Sequence, residues 1–386
     1  MVSKPLNQSH LLSIISNFEI EKSEIIVEGF GQGHINDTYL IRSALHSEPD
    51  YLLQRINHII FKDVPALMNN ILQVTNHLKE KLKSIPGANP DAEVLTVIKA
   101  KGGLPYYKDN DGNYWRLYKY LKDTKSLDVV VSTEYGYEGG KALGRFQAML
   151  ADFDANQLHE TIPYFHNIAL RLNQYHTALQ EDRAKRRQSV IQEAKFVEER
   201  IAKMCAILNL ISDENLPLRV THNDTKFNNI LFNAKDQAQC IVDLDTVMPG
   251  YVAYDFGDAI RTLINTATED EYDLSKIGLN MPLFEAFTKG YLAESAERLT
   301  EGEIKSLCLS VLLFPYMQGV RFLTDYLQGD TYYKTKFPDH NLQRTRAQFQ
   351  LLRKIEEQYE TIEDIVWEAA NRSLDIKYDQ RTRKTG

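Results

Sequence analysis

Over roughly the first 120 residues the apolar positions come in short runs, and over most of the remainder they recur at helical spacing. Residues 24–30 (E-I-I-V-E-G-F) read as a strand that runs into a glycine-rich turn, G-F-G-Q-G-H-I-N. Residues 37–42, 51–56, 94–98 and 114–121 add strand-like segments, with turn chemistry at 109–112. Between them, 63–84 carries Val64, Leu67, Met68, Ile71, Leu72, Thr75 and Leu78 on one helical side, with Asp63 as N-cap and Pro65 just inside. This predicts a sheet of about five strands with one long helix inserted.

Helical periodicity then covers 134–153, 162–180, 185–211, 280–298, 301–328 and 340–370, interrupted by strand character at 218–246. The expected fold class is α+β. A small antiparallel sheet lobe with its long helix (1–121) precedes a large, mainly helical lobe (122–386).

Composition narrows the picture. The chain has 386 residues, 43% apolar and 25% charged, the balance of a globular protein rather than a disordered or fibrous one. Its net charge of −8 argues against general nucleic-acid binding, which needs clustered Lys and Arg. Cys205, Cys240 and Cys308 are widely spaced, so free thiols are expected rather than a zinc ribbon or a disulfide framework. No apolar run approaches the length of a membrane span, and the first residues lack the pattern of a signal peptide. The expectation is a cytoplasmic protein with neither a membrane nor a nucleic-acid partner.

Chemistry concentrates at 221–232, T-H-N-D-T-K-F-N-N-I-L-F. His222, Asp224 and Asn229 give H-x-D-x-x-x-x-N, the pattern of kinase catalytic loops. Asp224 would accept a proton from an attacking hydroxyl, and Asn229 would offer an amide oxygen to Mg2+. A short hairpin then returns the chain at Asp243, the expected magnesium carboxylate, while Asp245 would help in an outer layer or at a second ion. Hard oxygen donors suit that metal. A literal D-F-G at 255–257 lies too far along to be the metal motif, so Asp255 is expected to brace the loop. His222 would orient it.

These motifs resemble the aminoglycoside phosphotransferase and choline kinase superfamily, which has a bilobal protein-kinase-like fold. They look closer still to the N-acetylhexosamine 1-kinases, through 31–39, 221–231, 243–258, 321–333 and 336–346. The resemblance implies an ATP- and Mg2+-dependent enzyme that phosphorylates the anomeric hydroxyl of N-acetylglucosamine or N-acetylgalactosamine. ATP would lie between the lobes under Gly31, Gly33, His34 and Asn36, with adenine against Tyr118, Tyr120 and Leu121. The sugar would meet Asp224, His34, Arg321 and Tyr332, and Asn229 and Asp243 would hold the metal. Other acceptors of choline, homoserine or aminoglycoside type, and a silent nucleotide-binding regulator, are the alternatives.

Two departures stand out. The strand that carries a phosphate-binding Lys in protein kinases reads Y-L-L-Q-R-I, with Gln54 and Arg55. Neighbouring strand residues face opposite ways, so only one of the two can point toward a nucleotide. The 63–84 helix also has no Glu at its middle; Glu80 comes near its end.

Overall fold

The structure, a computed structural model, describes residues 7–20, 24–31, 35–45 and 47–385, with side chains through Ile376. The chain forms two compact units. The first comprises 1–125, 152–162 and 231–249, and the second comprises 126–151, 163–230 and 250–386.

The first unit is built on a six-stranded antiparallel sheet. Its strands are β1 (Ile25–Gly29), β2 (Asp37–Ser43), β3 (Tyr51–Ile56), β4 (Val97–Ile98), β5 (Tyr107–Lys108) and β6 (Tyr114–Lys119). They run in the order β1-β2-β3-β6-β4, and β5 also pairs with β6. Helix α1 (Gln8–Ile15), absent from the sequence reading, buries Leu11, Ile14 and Ile15 beside Ile41, Leu53, Trp115 and Leu117. Asn7 caps it by accepting from Ser9 N.

The long helix α2 (Val64–Lys83) starts where Asp63 and Pro65 place it, with Asp63 Oδ1 accepting from Ala66 N at 2.9 Å. The expected strand at 94–98 shrinks to Val97–Ile98. Asn89 caps a helical turn, α3 (Pro90–Glu93), and Val94 closes it by donating its N–H to Pro90 O, which draws the start of the expected strand into the helix cap. From Leu231 onward the hairpin of Ile230–Phe232 and Ala238–Ile241 completes this unit, tied to Lys125 through a two-way backbone bridge at Phe232.

The second unit is helical: α4 (Thr133–Met149), α5 (Ile168–Glu181), α6 (Ile191–Glu198), α7 (Ile201–Asp213), α8 (Val252–Leu263), α9 (Met281–Ser295), α10 (Glu301–Gln328), α11 (His340–Glu357) and α12 (Tyr359–Thr385). Helix α10 is its axis. Thr300 and Glu303 form a capping box at its start, and Gly329, at φ 93°, closes its end. Among the described residues it is the one helix long and apolar enough to cross a membrane, which corrects the reading that no run approaches that length. Its apolar window is 78% buried within the protein, as befits a core helix.

Helices α4 and α9 pack at backbone contact. A Cβ on Gly140 would stand 2.0 Å from Phe287 O, and one on Gly144 would stand 2.1 Å from Tyr291 O. The expected single helices at 185–211 and 340–370 each break, at Glu199–Arg200 and at Gln358, with no Gly or Pro to mark either place. The two breaks meet: Arg200 Nε and Nη2 donate to Glu356 at 3.0 and 2.9 Å. A forked guanidinium–carboxylate pair is a tertiary cause that local propensity does not register.

Candidate active site

In the helical unit the segment after Thr221 is held from behind by α8. Asp255, 1% exposed, accepts from His222 N at 2.8 Å, Asn223 N at 2.7 Å and Gln147 Nε2 at 2.9 Å. Thr225 closes the clasp, its hydroxyl donating to Asp255 O at 2.6 Å and its amide to Asp258 Oδ2 at 3.2 Å. Burial pushes the Asp255 carboxyl up to about 6, against the pull of His222 and these donors. The literal D-F-G is thus a packing element inside α8. Phe256 is fully buried against Phe287 and Tyr291, and a Cβ on Gly257 would stand 2.5 Å from the Phe314 ring.

This clasp fixes an unusual backbone. Asn223 sits at φ 63°, a left-handed conformation that Asn tolerates better than most residues. The next residue, Asp224, has its side chain 24% exposed. His222 is fully buried, and its Nδ1 accepts from Asp224 N at 3.3 Å. Asn229 donates its amide nitrogen to Asp224 O at 2.8 Å, which leaves its oxygen on the other side of the amide.

Lys226, absent from the sequence reading, places Nζ 2.8 Å from Asp224 Oδ1. Burial works against its charge, but Asp224 outweighs that and raises its pKa. Its signal in the sequence was a lone cation two residues after the aspartate. Beneath the loop, Phe227 seats on α4, where a Cβ on Gly139 would stand 2.3 Å from its ring.

A second cluster adjoins this loop in the same unit. His166 Nε2 lies 3.1 Å from Asn223 O, and its ring is enclosed at tilted angles by Phe165, Tyr254 and Phe314. Burial pushes His166 down to about 4. Arg321 lies over Phe165 and Tyr333, 5.8 Å from each ring, and donates to Gln318 Oε1 at 3.1 Å. Arg171 donates to Phe165 O at 2.8 Å, and its pKa is lowered by burial and then by the charge of Arg321. Tyr332 is 72% exposed and edge-on to Tyr333. Asp325 organises this segment by accepting from Thr331 N, Tyr332 N and Tyr333 N at 2.8, 2.8 and 2.9 Å.

The remaining candidates lie in the sheet unit. Asp243 follows the Ala238–Ile241 strand at φ 59° and is exposed. Asp245 is buried and ion-paired to Arg116 of β6, whose side chain is 1% exposed. Asn36 donates to Asp245 Oδ2 at 2.7 Å and accepts from Asn57 N at 2.9 Å, so its side chain is committed within the protein. Gly31 has φ 71°, while Gly33 and His34 lie outside the described residues. Tyr118 is buried beside Arg116, 5.1 Å from guanidinium carbon to ring centroid.

In the segment after β6, Tyr120 N donates to Asp50 O and Leu121 O accepts from the Thr124 hydroxyl. Among the described residues, Leu121 N donates to no partner. Arg55 is paired with Asp37 and so is no spare cation, and the neutral Gln54 accepts from Arg116. All three cysteines are free thiols.

Asn229 in the helical unit offers an amide oxygen, and Asp243 in the sheet unit offers a carboxylate oxygen; each is a donor type that suits Mg2+. Among the described residues no cluster of three or more His, Cys, Asp or Glu forms a ready-made metal cage.

Solved structures share this fold. An aminoglycoside phosphotransferase from Alicyclobacillus acidocaldarius subsp. acidocaldarius DSM 446 is 12% identical, with 97% of this chain and 98% of that one covered and a TM-score of 0.57. A choline kinase from Cryptosporidium parvum Iowa II is 16% identical, with 91% and 97% covered and a TM-score of 0.57. An amicoumacin kinase in complex with AMP-PNP and Ca2+ is 11% identical, with 89% and 93% covered and a TM-score of 0.57. At these identities the likeness is one of fold. The profile of the phosphotransferase enzyme family matches residues 26–291, most of the chain and all of the loop from His222 to Asp245, and the chain belongs to that family.

Proposed function

We propose that the protein transfers the γ-phosphoryl group of ATP to the anomeric 1-hydroxyl of an N-acetylhexosamine, in the cytoplasm and with Mg2+. That it handles a nucleotide is supported by family membership and by the nucleotide analogue in the amicoumacin kinase of the same fold. Leu121 N is a backbone donor still available for an adenine edge. Asn229 and Asp243 are each proposed as Mg2+ ligands, and the ion when bound would supply neutralisation of phosphate charge. Asp224 takes the proton from the acceptor hydroxyl, and Lys226 balances its charge until the acceptor arrives. Phosphoryl transfer needs little covalent help, so fixed geometry and electrostatics provide most of the rate.

The observation that carries the choice of acceptor is the cluster beside Asn223. It presents two guanidiniums, Arg321 and Arg171, with aromatic rings. A cationic amine such as choline or an aminoglycoside would meet like charge there. A neutral sugar offers hydroxyl and amide oxygens as acceptors for those donors and an apolar face for the rings. An ADP-release assay across N-acetylhexosamines, plain hexoses, choline, homoserine and an aminoglycoside tests this. Turnover confined to the amino alcohols or the aminoglycoside would overturn it.

A further inference from the structure

In the sheet unit, Thr38, Gln54 and Arg116 stand directly opposite one another on β2, β3 and β6. Their side chains form a row. Gln54 Nε2 donates to Thr38 Oγ1 at 3.1 Å, and Arg116 Nε donates to Gln54 Oε1 at 2.9 Å. Arg116 continues into Asp245 through Nη1, and Asp245 accepts from Asn36 Nδ2 at 2.7 Å. Asn36 lies two residues before Thr38, so the chain of bonds closes into a circuit. Asn57 N, just after β3, secures it by donating to Asn36 Oδ1 at 2.9 Å.

The circuit touches three pieces with different tasks. Asn36 ends the glycine-rich turn, Gln54 takes the place where a phosphate-binding Lys is absent, and Asp245 lies two residues after Asp243. Helix α2 reaches the same turn. Its buried Asn70 donates to Val247 O at 2.9 Å and to His159 O at 2.7 Å. Arg116 itself is too enclosed to meet a phosphate, at 1% exposure. Burial opposes its charge, and the Asp245 carboxylate more than offsets this and keeps it ionised.

We propose that Arg116 and Asp245 are positioning residues for nucleotide and metal. Through Asn36 and Gln54 they hold the Asp243 turn in register with Asn36 and the start of β2. This is the work a strand Lys and a helix Glu share in kinases that have both. The inference rests on the ATP and Mg2+ reading above.

A buried ion pair can be replaced by apolar residues of similar volume without loss of stability, whereas removing one partner is costly. The test is therefore the double variant Arg116→Met/Asp245→Leu, with thermal melting and calorimetric titration of ADP with and without Mg2+. We expect melting near that of the wild type and a fall in Mg-ADP affinity of about tenfold or more, the scale at which outer partners act on metal sites. The KM for acceptor should stay put. The variant Asn36→Ala, which removes one link and leaves the pair intact, should show the same loss in smaller measure, and it decides the matter if the double variant does not fold. Wild-type affinity in either folded variant would overturn the inference alone. A wild-type protein that binds no nucleotide would overturn the function and the inference together.

Discussion

Asp224 and Lys226 are ion-paired at 2.8 Å, and under the proposed function their effects separate. Asp224→Asn removes the proton acceptor while keeping size and polarity, so kcat should fall about a hundredfold or more with little change in melting. Lys226→Met should lower kcat by about tenfold to a hundredfold, since it takes away the cation that balances the Asp224 carboxylate. Steady-state kinetics measure both, and near-normal turnover of Asp224→Asn contradicts its assigned role. Asp224, Asn229 and Asp243 stood out as candidates because their spacing follows a known motif. Arg116 did not, because its task depends on a partner, Asp245, far away along the chain. Gln54 and Arg55 were weighed for the missing cation because they stood at the strand position where one is usual. The structure hands Gln54 to Arg116 and Arg55 to Asp37.

At the scale of elements, the loop that carries Asp224 is as precise as its seat. Helix α4 supplies part of that seat through glycines that bring α9 to backbone contact. Gly144→Ala would drive a methyl to 2.1 Å from Tyr291 O, which no rotamer change relieves. It should cost about 3 kcal/mol, read as a lower urea midpoint. An unchanged midpoint would show that the helices part freely.

The segment after α10 offers a finer test. Asp325→Asn leaves one carboxamide oxygen where a carboxylate accepted three backbone amides, so Tyr332 and Tyr333 lose their anchor. Acceptor KM should rise about tenfold while ATP KM holds. A rise in both would remove this segment from the acceptor site. The long helices were legible from periodicity alone. Their breaks at Arg200 and Gln358 were not, since those depend on a pairing of Arg200 with Glu356 that no local window contains. Helix α1 and strand β5 escaped because each is too short to establish a period.

For the whole molecule, stability against pH reports on the buried groups around the loop. His166 is held down near 4, below its unfolded value of about 6.5. Unfolding therefore takes up a proton there below pH 6.5, and its stabilising contribution is lost as pH falls through that window. Asp255, raised to about 6, works in the opposite sense, because the folded form protonates first as pH falls. The two partly cancel in the wild type. His166→Phe removes one, so between pH 6.5 and 4.5 it should lose less stability than the wild type, by about 1–2 kcal/mol. Parallel denaturation curves across that range would place His166 outside the account.

The order of a sheet region before a helical one was legible throughout the sequence. The compact units were less so, since 152–162 and 231–249 group with the first 125 residues. Both are short, and the first has no period to declare where it packs. Substrate choice is the claim that everything else serves, and the product itself decides it. Purified protein, Mg-ATP and N-acetylglucosamine or N-acetylgalactosamine should give a phosphorus NMR signal split by coupling to the anomeric proton, with Asp224→Asn giving almost none. A product phosphorylated at another hydroxyl, or turnover with amino alcohols and none with either sugar, would contradict the account.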